Sequence, residues 1–520
     1  MFPLAKYALA LAAGALLATS FAPLQWWPLA VLAPAVLIGL WDGAAPRQAA
    51  ALGFWFNVGT FSAGTYWLYI SIHGFGEAPI WIAFLLMGGL IGIMAVYGAL
   101  LGYLIARCLP RAGALRAIAG IPAAWTLIEW LRGWLFSGFA WLSLGYSQTD
   151  TVLGRAFAPV LGVYGLTALL LVAAGALVTL VRGSARERSI AGLALIVPWL
   201  AAVPLAHIAW THPVGKPVGV AIVQGDIPQD QKWLDSNRDT TLARYRDLTM
   251  SALGTPIIVW PEAAAPDLAN NLTTYLLGIY RAARGHGSAV VLGIVRAEGL
   301  ANGDDAYFNS VLSLGTSIGW YDKRHLVPFA EFFPVPGFVR SWLRLMSLPY
   351  SDFTRGGPHQ PPLEAGGLAL ATTVCYEDAY DSYELGELGE SDALVNVTND
   401  AWFGHSSARY QHFQIARMRA METGRYLLRA ANDGISGVIG PRGSVVAQAP
   451  QYRPVVLKAT IRAYRGLPPF ALFGNWLIIS VAATTLGVAI AGGRALRLAV
   501  RAHGAPAAAT REHRAAEDVS

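Results

Sequence analysis

Between residues 7 and 206 the sequence is a succession of long apolar runs in which charged residues are rare. A stretch of about 20 apolar residues spans a bilayer, because in hydrocarbon a helix satisfies its own backbone. Seven such runs are legible, at 7–22, 28–41, 50–72, 80–106, 117–136, 158–181 and 189–206. The first two are short, and the fifth carries Glu129 and Arg132, so these three are the weakest crossings. An eighth, Ala471 to Ala491, follows a long polar stretch. Charged residues are only 13% of the 520, against about 25% in soluble domains. The composition excludes an ordinary soluble enzyme and a disordered chain. With two cysteines, Cys108 and Cys375, it also excludes a disulfide scaffold. The expected fold class is a multi-pass α-helical membrane domain, about eight transmembrane helices, plus an α/β domain outside the bilayer.

Orientation follows from the basic residues of the short loops. One set of loops holds Lys6, Arg47, Arg107, Arg111, Arg116, Arg182, Arg186, Arg188, Arg494, Arg497 and Arg501, and the opposite set holds Arg132 and Arg155. The first set is therefore expected on the cytoplasmic side, with both termini, and the polar domain on the other. In a bacterial inner membrane that side is the periplasm. Lys6 and the apolar stretch after it would also suit a cleaved signal peptide. A second apolar segment begins at Pro28 after a short Trp26–Trp27 turn, which favours a retained helical hairpin. The net charge of +6 sits at membrane edges, so no nucleic-acid partner is expected. The expected divisions are residues 1–206, 207–470, 471–493 and a basic, disordered tail at 494–520.

In 207–470 the apolar runs shrink to strand length. Strand candidates are Val218–Gln224, Pro256–Trp260, Ala289–Val295, Asn309–Leu314, Leu368–Cys375 and Ala393–Val397. Helices are expected near Asp239–Leu253 and Ser407–Gly424. Such alternation predicts a layered α/β sandwich whose chemistry sits at strand ends.

Three strand ends carry unusual residues. Glu262 follows Trp260-Pro261, either as a rigidly held acid or as a plain helix cap. Lys323 is one of only five lysines in an arginine-rich chain, which suits a compact charge as well as an ordinary surface residue. Cys375, beside Glu377 and Asp378, has no disulfide partner on its side of the membrane, so its thiol is either inert or a nucleophile. Together they make a mechanism: a carboxylate takes the thiol proton, and an ammonium steadies the thiolate and an oxyanion. The set suits acyl transfer.

The order Trp-Pro-Glu at 260–262, Lys323 followed by Pro328-Phe329-Ala330-Glu331, and Cys375-Tyr376-Glu377 resembles the nitrilase superfamily, with an α-β-β-α sandwich. Eight crossings around such a domain resemble one family within it, the apolipoprotein N-acyltransferases. Further matches are Val223 to Gln229 with Lys232-Trp233, Glu129 to Trp134, Leu144 to Gln148, Asn396 to Gly404, Gln411-His412, Arg417 to Ala420, Ala431 to Gly434 and Ile439 to Pro441. The likeness covers nearly the whole chain except the C-terminal tail. It implies Glu262 as general base, Lys323 as stabiliser of thiolate and oxyanion, and Cys375 as nucleophile. Glu331 and Glu377 are implied as supporting acids, and Tyr376, Trp233 and Trp402 as lining the substrate site. The implied reaction passes an acyl chain from a phospholipid through a thioester to the α-amine of a diacylglyceryl-cysteine apolipoprotein. No cofactor or metal is expected, and the chain is expected to be a monomer. His405 and His412 are taken as structural or substrate-adjacent. Phe332 to Tyr350, apolar and aromatic with two arginines, would be an interfacial loop or short amphipathic helix guiding acyl chains, or else a segment packed on the domain. One rival is a membrane-tethered amidase acting on small amides, which needs no lipid-accessible entrance. Another is a transporter or receptor, which gives no reason for the Glu-Lys-Cys order.

Overall fold

The computed structural model describes residues 3–109, 113–300, 305–332, 353–380 and 385–503. The interfacial loop expected after Phe332 lies outside the described residues, as does the tail beyond His503.

The apolar runs form helices α1 (Pro3–Ala18), α2 (Leu29–Leu40), α3 (Pro46–Gly64), α4 (Ile80–Cys108), α5 (Ile121–Arg132), α6 (Val152–Arg182) and α7 (Ala185–Leu205). Their starts carry the expected signals. Pro46 opens α3, Thr151 Oγ1 caps α6, and Ser184 with Glu187 forms a reciprocal capping box on α7. Among the described residues, α4, α6, α7 and the C-terminal helix Trp476–His503 are long and apolar enough to cross a membrane. Helices α1 and α2 are apolar but shorter. The fifth run ends sooner than its hydropathy suggests, because α5 stops at Arg132. The Arg132 guanidinium then donates to the carbonyls of Phe139 and Trp141 at 2.6 and 2.7 Å, tying down the following loop. Glu129 takes different partners, the Thr167 hydroxyl at 2.6 Å and the Leu144 N–H at 3.3 Å. The C-terminal helix runs past the boundary expected at 493, which the Ala, Leu and Arg of that stretch favour.

The polar part contains two six-stranded sheets. One has the order β12-β1-β2-β3-β4-β5 and the other β11-β10-β9-β8-β7-β6. The first sheet uses β1 (His212–Gln224), β2 (Ile257–Val259), β3 (Ala289–Gly299), β4 (Asp305–Leu314), β5 (Ile318–Asp322) and β12 (Val455–Arg465). The second uses β6 (Leu363–Ala365), β7 (Leu368–Val374), β8 (Ala393–Thr398), β9 (Leu427–Ala431), β10 (Gly437–Ile439) and β11 (Val445–Gln448). The middle strands of each sheet pair in parallel, β1-β2-β3 and β7-β8-β9. They are covered on both faces, so they read as continuous apolar runs. Alternation still sorts their side chains. Val220 and Ile222 of β1 enter the core between the sheets, while Ala221 and Val223 enter the layer under α8 (Asp235–Ala252) and α9 (Thr273–Gly285). On the second sheet, Phe413, Ala416 and Ala420 of α10 (Ala408–Thr423) pack on Leu394 and Leu427. The result is an α-β-β-α sandwich.

Helix α10 also faces the N-terminal apolar helices. Its Ile415, Met418 and Met421 share a buried cluster with Phe157 and Tyr164 of α6. Helix α6 breaks at Gly162, whose φ is 65°. A Cβ there would lie 2.2 Å from the Phe470 ring, and only glycine takes both the conformation and the contact. The break frees the Val163 N–H, which donates to Glu422 of α10 at 2.7 Å.

Candidate active site

Glu262 lies just after β2, Lys323 immediately after β5 and Cys375 immediately after β7. The sheets face each other, so these ends converge. Lys323 Nζ is 2.9 Å from Glu331 Oε1 and 3.6 Å from Glu262 Oε1, and the lysine is 1% exposed. Burial pulls its proton affinity down, but the Glu331 and Glu262 carboxylates and the neighbouring Cys375 outweigh burial and hold it well above the usual lysine value. Lys323 is therefore an ammonium. The Cys375 thiol is held well above a free thiol, first by burial and then by the Glu262 carboxylate, with Lys323 opposing. The resting group is a thiol, and a base must take its proton.

Glu262 is held by two amide donors. Its Oε1 accepts from Asn309 Nδ2 at 2.7 Å, and its Oε2 accepts from the Asn399 backbone N–H at 2.9 Å. Asn309 Nδ2 also donates to Glu331 Oε1 at 2.9 Å, binding the two acids into one unit. Gly293 on β3 makes room, since a Cβ there would come within 2.5 Å of the Glu262 backbone.

Glu377 is completely buried and fastens two of the strand ends together. Its Oε1 accepts from the N–H groups of Arg324 and His325 at 2.6 and 2.9 Å. Its Oε2 accepts from the Val374 N–H at 2.8 Å and the Tyr321 hydroxyl at 3.0 Å. The residues flanking Lys323 and the residue before Cys375 thus share one carboxylate. His325 is pulled down to about 4 by burial, with Lys323 and Arg355 adding to it, so it is neutral. Non-glycine residues with positive φ border the site: Ala263 (42°), Phe329 (64°) and Cys375 (52°). Such strain costs about 1–3 kcal/mol each and persists only where the surroundings hold it.

The residues expected to line the substrate site are more spread out. Tyr376 follows the cysteine and belongs to an aromatic group joining the two parts of the chain. Its hydroxyl is 2.8 Å from that of Tyr380, and its ring is 6.1 Å from Trp141. Trp141 in turn packs on Trp67, Phe403 and His412. Trp233 is half exposed, with the Lys232 ammonium 5.9 Å from its ring. Lys232 itself is buried and reaches the Glu262 carbonyl at 3.3 Å. Trp402 is 40% exposed, and its carbonyl accepts from Ser71 Oγ at 2.7 Å. His405 stacks on Tyr452, while His412 lies in a buried polar cluster beneath Cys375. Asn309 has no assigned role in the sequence, and Asn399 appears there only within the Asn396 to Gly404 match. Their one signal is a buried amide within or just after an otherwise apolar strand.

Residues 13–176 match the family described as apolipoprotein N-acyltransferase N-terminal domain, and residues 219–466 match carbon-nitrogen hydrolase. A relative from Methylococcus capsulatus named apolipoprotein N-acyltransferase is 40% identical over 484 residues, covering 93% of this chain and 95% of that protein. Another of the same name, from Pseudomonas aeruginosa, is 38% identical over 488 residues, covering 93% and 95%. A solved carbon-nitrogen hydrolase from Helicobacter pylori aligns with a TM-score of 0.35 and 16% identity, over 47% of this chain and 89% of that one.

Proposed function

The chain belongs to the apolipoprotein N-acyltransferase family, and from that premise we propose that Glu262, Lys323 and Cys375 carry its acyl transfer through a thioester on Cys375. It is an acyltransferase of lipoprotein maturation, working on lipid and lipoprotein substrates in a membrane. The donor in this proposal is a phospholipid and the acceptor the α-amine of a diacylglyceryl-cysteine.

Glu262 takes the thiol proton as Cys375 Sγ attacks the ester carbonyl carbon. The oxyanion faces the Lys323 ammonium and the Tyr376 N–H. Collapse breaks the ester C–O bond, and the leaving glycerol oxygen takes its proton from Glu262. Lysophospholipid departs and a thioester remains. The acceptor amine then attacks the thioester carbonyl while Glu262 takes an amine proton. The C–S bond breaks, the sulfur recovers the proton, and the amide is complete. Glu331 holds Lys323 in place, and Glu377 holds the lysine turn against the cysteine turn. Tyr376, Trp233 and Trp402 border the substrate path.

The observation that carries this reading is the buried Lys323 ammonium, placed between two carboxylates and beside a thiol kept protonated. A thiol in that state reacts only with a base at hand. Apolar helices pack on α10, which supports a site beside a lipid surface, and a small-amide hydrolase would not need one. The membrane part is proposed to make eight crossings, the catalytic domain to lie on the periplasmic side with both termini cytoplasmic, and the protein to act as a monomer. The test is reconstitution with phospholipid and a diacylglyceryl-cysteine peptide, read by mass spectrometry. Wild type should yield the N-acylated peptide and Cys375→Ser should not. Product from the Cys375→Ser variant would overturn the proposal.

A further inference from the structure

The mechanism leaves a second set of buried charges, directly beneath the nucleophile, without a role. His412 on α10, Asp400 after β8, Asp378 after Cys375 and Arg429 on β9 are each fully enclosed. His412 Nδ1 lies 2.8 Å from Asp400 Oδ1, and its Nε2 lies 3.0 Å from Asp378 Oδ1. Both ring nitrogens face carboxylate oxygens, which only accept, so both carry protons. Burial and Arg429 oppose that charge, and the two carboxylates outweigh them, lifting His412 to about 9. Arg429 donates to Asp378 Oδ2 and Asp400 Oδ2, each at 3.1 Å, and to Asn396 Oδ1 at 2.7 Å. Two cations and two anions close on one another. A buried group of this kind is costly to break and gains little stability over apolar packing.

The cluster makes two kinds of contact with Cys375. The His412 Nε2–H, shared with Asp378, reaches the Cys375 carbonyl at 3.2 Å, and Asn396 Nδ2 reaches the same oxygen at 3.2 Å. Asp400 Oδ1 accepts from the Thr398 hydroxyl at 3.2 Å, and that hydroxyl lies beside the Cys375 sulfur, where it favours the thiolate. Register agrees, because β7 and β8 run parallel with Val374 beside Val397, so Cys375, just past β7, comes next to Thr398, the last residue of β8.

We propose that the His412–Asp400–Asp378–Arg429 cluster holds the nucleophile in its attacking geometry. His412 clamps the carbonyl of the left-handed Cys375, and Asp400 turns the Thr398 hydroxyl toward the cysteine sulfur. When Glu262 removes the thiol proton, Thr398 turns its proton from Asp400 to the thiolate, and Asp400 keeps His412 and Arg429 as partners. His412 acts through Cys375 and is a positioning residue. Thr398 touches the reacting sulfur itself. The inference rests on Cys375 being the acylated residue.

The experiment uses the full chain in phospholipid–detergent micelles, with acylation of Cys375 followed by intact-mass spectrometry over a single turnover at several phospholipid concentrations. The variants are His412→Gln, Thr398→Val and Thr398→Ser. His412→Gln and Thr398→Val should each lower the maximal acylation rate about 10- to 100-fold, as sub-ångström misplacement of a reacting group does, and leave half-saturation by phospholipid unchanged. Thr398→Ser keeps the hydroxyl and should acylate near the wild-type rate. Wild-type rates in Thr398→Val and His412→Gln would overturn the inference, as would a Thr398→Ser variant as slow as Thr398→Val. Should His412→Gln fail to fold, the two Thr398 variants still decide. Absence of acyl mass on wild-type Cys375 would bring down the functional proposal and this inference together. Acylation of wild type and variants alike would bring down this inference only.

Discussion

Replacing Glu377 by Gln keeps shape and volume and changes one acceptor into a donor. The carboxylate takes four hydrogen bonds, three of them from backbone N–H groups. Glutamine will keep its oxygen toward Arg324 and His325, where two N–H groups converge. Its Nε2 then faces Val374 N–H and the Tyr321 hydroxyl. Tyr321 can turn and accept, but Val374 N–H is left buried against another donor. A hydrogen bond to a charged group contributes about 1.5–3 kcal/mol, and a stranded buried donor costs a similar amount, so the expected cost is about 2–4 kcal/mol. Val374 immediately precedes Cys375, so much of that cost falls on the position of the proposed nucleophile. If half appears in the barrier, acylation slows about 5- to 30-fold. Intact-mass spectrometry gives the acylation rate, and a melting curve of the same sample gives the stability. Unchanged acylation together with an unchanged melting temperature would refute the reasoning that Glu377 joins the lysine and cysteine turns.

Replacing Lys323 by Met leaves Glu262 and Glu331 buried without their cation; acylation should disappear and stability fall by about 3–5 kcal/mol, read by mass and by denaturation. The rate of Cys375 alkylation by iodoacetamide should keep rising with pH and show none of the levelling of a free thiol near about pH 8.5, because burial and Glu262 hold the proton on. Lys232 is pulled down to about 8 by burial, against the pull of Glu262 and Asp433. Between about pH 8 and its unfolded value near 10.5 the unfolded chain binds the extra proton, so this residue's contribution to stability rises with pH in that window. The melting temperature of wild type relative to Lys232→Met should therefore climb from pH 8 to pH 10, and a flat difference would contradict the assignment.

Much of the architecture is legible because each part obeys one simple rule. Doubly covered parallel strands such as Val220–Gln224 and Ala393–Val397 appear as short apolar runs, and helices in lipid appear as long ones. The ends of those runs are also visible, which is how Glu262, Lys323 and Cys375 stand out. Hydropathy overshoots where a polar side chain turns the backbone. It carries the fifth run through Phe136, whereas Arg132 bonds the loop carbonyls and ends α5. Nor does it see the break at Gly162, which depends on Phe470 and Glu422, far away in sequence. Glu331 and Glu377 came from resemblance, since their roles depend on which backbone N–H groups they meet. Asn309, Asn399 and Thr398 are harder still. In a string of residues each is an ordinary polar interruption, and only neighbouring or facing strands bring it beside Glu262 or Cys375.

The most direct test of the thioester proposal is the intact mass of the purified protein after incubation with phospholipid alone, wild type beside Cys375→Ala. The expected result is a gain of one fatty acyl group on wild type, absent from the variant and discharged when a diacylglyceryl-cysteine peptide is added. Transfer to the peptide with no acyl group ever found on Cys375 would contradict it.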